Sequence, residues 1–495
     1  MTRIQLVDVS LRDGNQSLWG AVGLKTPHVL QIAPVMDRVG FRALDFTSST
    51  HMGVSVRTHR EDPWERIRRT HAAMPNTPLQ FIGTGFRFIS WERQHPDVMQ
   101  LIYDRLVVNG LSRFVVLDPM HDMDAVRATA AAIRKAGGSE IIAALTYTVS
   151  EVHDDAFYAR LAAEMTACPD IDRVYIKDPA GLLTPDRART LIPGITAALD
   201  GTPLELHSHC TLGLSPLTYP AAPALGVEVL QVACGALSNG TSLPDAERTV
   251  ANVREHGHEV EVDDRLLAVV AEYFRRLARA ESLPFGTPQE YDASFLRHQV
   301  AGGVMTTMRR QLAELGLEHR FGDVMEEVGV VRAELGYPIM VTPFPQMVCS
   351  QALYNVIDGE RYRNVSDQVI RYVLGSFGRP TVPVDPDVRD RILGRRRAQE
   401  LAEEPSPPTP EELRARFGRH LPDEELLLRA TMPAEQVHAM LAAGPSPASY
   451  NPERQPIDRL LRELADRPPI AELSVGSDEF ALTVRSRGQG APHGG

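Results

Sequence analysis

RVYIKDPAGLL (173–183) is the stretch on which the fold reading turns. Its first half alternates bulky, β-favouring residues, and the run stops at a lysine and an aspartate before a Pro-Ala-Gly turn. Seven other runs share this design: IQLVDVS (4–10), ALDFTSS (43–49), LQFIGTG (79–85), RFVVLDP (113–119), IIAALTYTV (141–149), PLELHSHC (203–210) and VLQVACGAL (229–237). Stretches with helical spacing lie between them, such as DAVRATAAAIRKAG (124–137) and PDRARTLIPGITAAL (185–199). Eight strands, each followed by a helix, predict an α/β fold of the (β/α)8 TIM-barrel type over residues 1–285. The alternative is an open, doubly wound sheet. It needs a Gly-rich phosphate turn after the first strand, and VDVSLRDGNQS is not one.

After residue 285 the alternation stops. RHQVAGGVMTTMRRQLAELG, FGDVMEEVGVVRAELG and MVCSQALYNVI have helical spacing, so residues 286–395 are expected to form a mostly helical second domain that completes an active-site funnel. Residues 396–470, with the Pro-rich stretches EEPSPPTPEE and AAGPSPASYNPERQP, are expected to be linker and short helices. Residues 471–495 are expected to form a small hairpin and a disordered tail.

The 495 residues are 43% hydrophobic and 23% charged, ample for a large core. The net charge of −12, with no basic run, argues against nucleic acid as a partner. No stretch approaches the roughly 18 apolar residues of a membrane span, and MTRIQLVDVS starts a strand rather than a signal peptide. Cys168, Cys210, Cys234 and Cys349 show no paired spacing, which suits a reducing compartment; a cytoplasmic location is expected.

In a barrel of this kind the chemistry sits at the C-terminal ends of the strands. Polar residues gather there: Asp8, Arg12, Asp13 and Gln16 after strand one, Lys177 and Asp178 at the end of strand six, His207 and His209 at the end of strand seven. Residues two apart in a strand share a face, so both histidines are expected to point into the barrel mouth. Two neutral imidazoles and a carboxylate are three ligands for zinc, manganese or cobalt. The alternative is a pair of histidines satisfied within the core; Asp13 and Lys177 at the mouths of other strands weigh against it. Only three of the 52 basic residues are lysine, Lys25, Lys135 and Lys177. An ammonium at Lys177 would be repelled by a dication, whereas a neutral lysine amine that captures CO2 becomes a carbamate, an anionic fourth ligand that arginine cannot form. The plainer reading of Lys177 is a charge at a strand end.

These residues match a known family. DVSLRDGNQSL resembles the D-x-T-x-R-D-x-x-Q-S opening of the biotin-dependent carboxyltransferases, which include the carboxyltransferase domain of pyruvate carboxylase, the oxaloacetate decarboxylase alpha chain and the central subunit of methylmalonyl-CoA transcarboxylase. EDPWERIRRTHAAMPNTPLQ (61–80), YIKDPAGLL (175–183), HSHCTLG (207–213), GGVMTTMRRQL (302–312) and VTPFPQMV (341–348) resemble family motifs in the same order. The resemblance runs from about residue 4 to residue 390. It implies a metal site of Asp13, carbamylated Lys177, His207 and His209, with Arg12 and Gln16 meeting the substrate. Relatives in the wider superfamily around hydroxymethylglutaryl-CoA lyase share the Arg-Asp opening and the H-x-H but lack the lysine in strand six, so Lys177 favours the carboxyltransferase branch. The family's proton-shuttling threonine falls on Thr306.

Three positions depart from the family pattern. The arginine that grips a keto-acid carboxylate falls on Thr84, with Arg87 three residues on. The aspartate and tyrosine of the biotin pocket fall on Gly53 and Trp91. A biotin carrier turn needs a lysine, and none follows Lys177, so biotin, if used, is expected on a separate carrier protein with a biotin carboxylase as further partner. The leading expectation is a metal-dependent carboxyltransferase subunit that moves CO2 to or from the enolate of a 2-oxo acid or acyl-CoA-type substrate, assembled as a homo-oligomer. The alternatives are a biotin-independent decarboxylase or retro-aldol lyase using the same metal-enolate chemistry, and a retired subunit that only scaffolds a complex.

Overall fold

The computed structural model describes residues 2–90, 92–300, 302–450, 472–477 and 480–485. Eight parallel strands follow one another in the first half: β1 (Arg3–Asp8), β2 (Ala43–Ser48), β3 (Leu79–Gly83), β4 (Arg113–Val116), β5 (Glu140–Thr146), β6 (Arg173–Asp178), β7 (Leu204–Ser208) and β8 (Val229–Val232). Each pairs with the next, and β1 pairs with both β8 and β2, so the sheet closes into a barrel. A two-residue strand, β9 (Glu259–Val260), adds to β1 at Arg3 and Ile4. Helices cover the outside. Their starts are fixed by side-chain caps: Asp122 accepts from the amides of Asp124 and Ala125, Asp154 from that of Phe157, and Thr184 from that of Arg187.

The strand interior is unusually polar. On β6 and β7 the odd-numbered residues face inward. Arg173 bonds to Glu205 (2.8 Å), Tyr175 lies 5.8 Å ring to ring from His207, and Lys177 is in register with His207. Apolar Val174, Ile176, Leu204 and Leu206 alternate with them. Deep in the barrel, Glu205 is buried and shared by Arg113 and Arg173, while its other oxygen accepts from Gln231 Nε2 (3.0 Å). Burial alone would lift the Glu205 carboxyl, but the two arginines outweigh it and hold it below its ordinary 4.5.

Beyond the barrel, helices Gly302–Glu314, Phe321–Glu334, Phe344–Asp358, Asp367–Val373 and Pro386–Leu393 enclose a second apolar core. Val324, Val328, Phe344 and Ile370 are wholly buried there, and Met120 from the loop after β4 joins the same cluster. Four helices then occupy Arg396–Ala402, Pro410–Phe417, Asp423–Thr431 and Ala434–Ala443. Within the stretch read from sequence as linker and short helices, Glu424 accepts from Arg68 and from Asn109 (2.7 Å), tying these helices to the barrel exterior. Residues 1–448 form one compact unit. In the second unit, β10 (Glu472–Ser477) and β11 (Phe480–Arg485) pair as an antiparallel hairpin. The expected disordered tail lies outside the described residues. No described helix is long and apolar enough to cross a membrane.

The buried carboxylate yields a stability prediction. Glu205→Leu removes the counter-charge shared by two buried guanidiniums, and breaking such a pair costs roughly 3–5 kcal/mol. Urea unfolding at pH 7 should show that loss. Because the folded carboxyl is held below 4.5, its contribution is complete above that pH and fades as pH falls through the folded value. The gap between wild type and Glu205→Gln should therefore narrow in acid; a gap that widens there would contradict this account.

Candidate active site

The Arg12 and Asp13 side chains leave the chain from a π-helical turn, Ser10–Gly14, that follows β1 directly. A Cβ at Gly14 would stand 2.9 Å from the carbonyl oxygen of Leu237, so only glycine lets the turn pack this closely. The Arg12 guanidinium donates from Nε to Asp45 Oδ2 (2.7 Å) and contacts Asp13 Oδ2 through Nη2 (2.8 Å). After β6, Asp178 ties the loop: it accepts from the amides of Leu182 and Leu183 (both 2.9 Å) and from Ser208 Oγ (2.7 Å). Gly181, at φ +70°, is where that loop meets the His209 carbonyl, 2.4 Å from any added Cβ. The opening stretch thus carries its own turn chemistry and sets Lys177 against strand seven.

Asp13, His207 and His209 place one ligand atom each within 4.8 Å of one another, all buried. Asp13 Oδ2 lies 3.2 Å from His207 Nε2, and Asp13 Oδ1 lies 3.5 Å from His209 Nε2. The far ring nitrogens are committed. Gln231 gives its Nε2 to Glu205 and so presents Oε1 to His207 Nδ1 (2.7 Å); the Thr241 carbonyl accepts from His209 Nδ1 (2.7 Å). Both Nδ1 atoms carry a proton, and the two Nε2 atoms face each other at 3.1 Å. Burial, then Lys177, holds His207 neutral by lowering it to about 3. Lys177 Nζ approaches His207 Nε2 (3.0 Å) and Asp13 Oδ2 (3.4 Å). Among the described residues no donor faces His209 Nε2. Two imidazole nitrogens and a carboxylate turned toward one point are a donor set that fits a divalent ion.

Burial alone would raise the Asp13 carboxyl, but Arg12, His209 and Lys177 hold it well below the carboxylate range, so it is an anion ready to ligate. Burial lowers the Lys177 amine, with Asp13 pulling the other way. Above this cluster is a cavity of about 210 Å3 lined by Arg12, Asp13, Gln16, Thr84, Lys177 and His209 from the barrel, and by Val304, Met340 and Gln346 from the helical part.

Seven residues singled out in the sequence therefore meet in one place: Arg12, Asp13, Gln16, Thr84, Lys177, His207 and His209. Arg87 does not line this cavity. Its guanidinium donates to the Ser376 carbonyl (2.6 Å) and lies 4.4 Å from the Phe377 ring, in the wall of an adjoining cavity. Gly53 is buried, and a Cβ there would meet Ile89 at 3.0 Å. Thr306 belongs to the helix Gly302–Glu314, which reaches the cavity through Val304. Trp91 and the Thr306 side chain lie outside the described residues. Sequence reading missed Asp45, Gln231 and Glu205. Their signal was a lone polar residue inside an otherwise apolar strand run.

Residues 295–443 match the family model described as a conserved carboxylase domain. A pyruvate carboxylase subunit of Methanocaldococcus jannaschii is 33% identical over 391 residues, covering 79% of this chain and 68% of that protein. Its counterpart of the same name in Methanothermobacter thermautotrophicus is 31% identical over 494 residues, covering 98% and 84%. The carboxyl transferase domain of Rhizobium etli pyruvate carboxylase superposes with a TM-score of 0.81 at 22% identity, covering 99% of this chain and 84% of that one, a likeness of fold. The chain belongs to the carboxyltransferase family of the biotin-dependent carboxylases.

Proposed function

We propose that this chain moves a carboxyl group between biotin on a separate carrier and the enolate carbon of a small carbonyl substrate, with a divalent ion held by Asp13, His207, His209 and carbamylated Lys177. The observation that carries the reading is the pair of facing Nε2 atoms beside Asp13, three buried ligand atoms turned toward one point. Oxygen and imidazole ligands suit zinc, manganese or cobalt. Such an ion supplies positive charge that stabilises negative charge developing on a carbonyl oxygen.

The chain's own residues do the rest. Lys177 sits where burial favours the neutral amine. Its nitrogen attacks CO2, an N–H proton leaves to solvent, and the resulting carbamate supplies an anionic oxygen. Arg12, fixed by Asp45 and Asp13, presents a preorganised guanidinium to the cavity and stabilises the same carbonyl oxygen. Gln16 borders the substrate from the neighbouring turn. The family resemblance gives Thr306 the proton transfer: its hydroxyl takes the substrate α-proton and gives its own proton to the nitrogen that has lost its carboxyl group. The helical wall of Val304 and Met340 excludes water from the enolate. A biotin carrier and a biotin carboxylase are the implied partners.

The carbamate and the substrate can each be tested. Lys177→Arg keeps the positive charge but cannot form the carbamate, and should abolish carboxyl transfer with the fold retained by circular dichroism. 13C NMR after incubation with labelled bicarbonate should show a carbamate signal in the wild type alone. An active Lys177→Arg enzyme would refute the ligand role.

For the substrate, a buried carboxylate needs a charge-assisted donor, and Thr84 offers one hydroxyl. Losing an arginine contact costs roughly 2–4 kcal/mol, about 30- to 1000-fold in specificity. Pyruvate and oxaloacetate should therefore react weakly, and substrates with an ester, amide or thioester at that position better. Steady-state kinetics with oxaloacetate decide it: kcat/KM of about 10⁴ M⁻¹s⁻¹ or more would sink the idea. Thr84→Arg should shift activity toward oxaloacetate.

A further inference from the structure

Thr84 and Thr342 line two cavities at once: the one above the metal ligands and a larger one beyond it. The first, about 210 Å3, is smaller than the roughly 300–1,000 Å3 usual for a ligand pocket. The second holds about 540 Å3 and reaches past the loop after β3 to residues 373–380. The two cavities are therefore neighbours with Thr84 and Thr342 at their common wall, and the side chain at position 84 is small.

The second cavity has three guanidiniums on its wall, from Arg87, Arg93 and Arg379. Three aspartates line it as well: Asp118 faces Arg87, and each of the three has at least one oxygen bonded to a neighbouring loop or helix group. Asp118 Oδ1 accepts from the amides of Met120 (2.8 Å) and Asp122 (3.1 Å). Asp122 caps the helix Met123–Ala136 through Oδ1 and takes the Arg379 amide on Oδ2 (3.4 Å). Asp124 pairs with Arg127 (3.2 Å). Arg87 is held in place by the Ser376 carbonyl and the Phe377 ring. The Arg93 and Arg379 side chains are exposed, and among the described residues no carboxylate pairs with either. Among the described residues, Arg93 and Arg379 are thus the cations on the cavity wall with no carboxylate pair.

We infer that this second cavity is a tail subsite: the substrate is a thioester or amide whose acyl end lies over the metal ligands, whose neutral linkage passes Thr84, and whose far end carries a carboxylate or phosphate met by Arg93 and Arg379. The inference rests on the carboxyltransferase reading of the barrel mouth and names the substrate class for it. It also gives the lost arginine at position 84 a consequence. The anion-binding role is moved outward along the substrate instead of being abandoned.

Calorimetric binding to the full chain tests the charge preference apart from turnover. Two ligand pairs serve, each pairing an anionic tail with a neutral one: propionyl-phosphopantetheine against propionyl-pantetheine, and N-propionyl-β-alanine against its methyl ester. The anionic member of at least one pair should bind about tenfold or more tighter than its neutral partner, the value of a charge-assisted contact. Which pair shows the preference distinguishes a phosphate tail from a carboxylate tail. The preference should shrink with added salt and fall to within about twofold in the Arg93→Ala/Arg379→Ala double variant, whose exposed positions spare the core. Equal affinity within both pairs, no measurable binding by any of the four, or a preference that survives the double substitution would overturn the inference. If the wild type transfers carboxyl groups yet shows no tail preference, only this inference fails.

Discussion

Everything at the mouth of this barrel depends on three ligand atoms turned toward one point. Two imidazole nitrogens stand 3.1 Å apart, beside an ionised carboxylate. Each distal nitrogen gives its proton to an acceptor that cannot return one: the Gln231 side-chain oxygen and the Thr241 carbonyl. The arrangement persists because rigid elements impose it. His207 sits in register with Lys177 in adjacent strands, and Asp13 comes from a tight turn that only a glycine at position 14 allows. A donor set of this kind, built into a closed barrel, fits a divalent ion.

The orientation is held from below. A buried chain of contacts runs from Arg113 and Arg173 through Glu205 to Gln231 and on to His207. Glu205 decides which way the Gln231 amide points, and that amide decides which His207 nitrogen keeps its lone pair. The polar barrel floor therefore links folding stability to ligand geometry. An apolar floor of the same volume would pack as well but would leave the imidazole free to turn over.

Much of this was legible in the sequence, for a physical reason. Closed parallel barrels bury their strands on both faces, so the eight runs stand out as apolar, and the few polar residues at their ends mark the mouth. His207, His209, Lys177 and Asp13 were found that way. The interior polar residues were harder: Asp45 in ALDFTSS and Gln231 in VLQVACGAL look like ordinary strand residues until their partners on distant strands are known. The direction taken by Arg87 was not readable at all. It is set by Ser376 and Phe377, almost three hundred residues away, which hold it in the second cavity. The docking of residues 423–431 on the barrel depends similarly on Glu424 meeting Arg68 and Asn109, pairs that no local pattern announces.

The central claim is that the facing histidines and Asp13 are ligands. Metal analysis of the purified full chain tests it most directly. The account predicts about one tightly held divalent ion per chain, retained through gel filtration and lost in Asp13→Ala and in His209→Ala. A wild-type protein that is empty as purified, and that keeps no zinc, manganese or cobalt when these are added back, would contradict it.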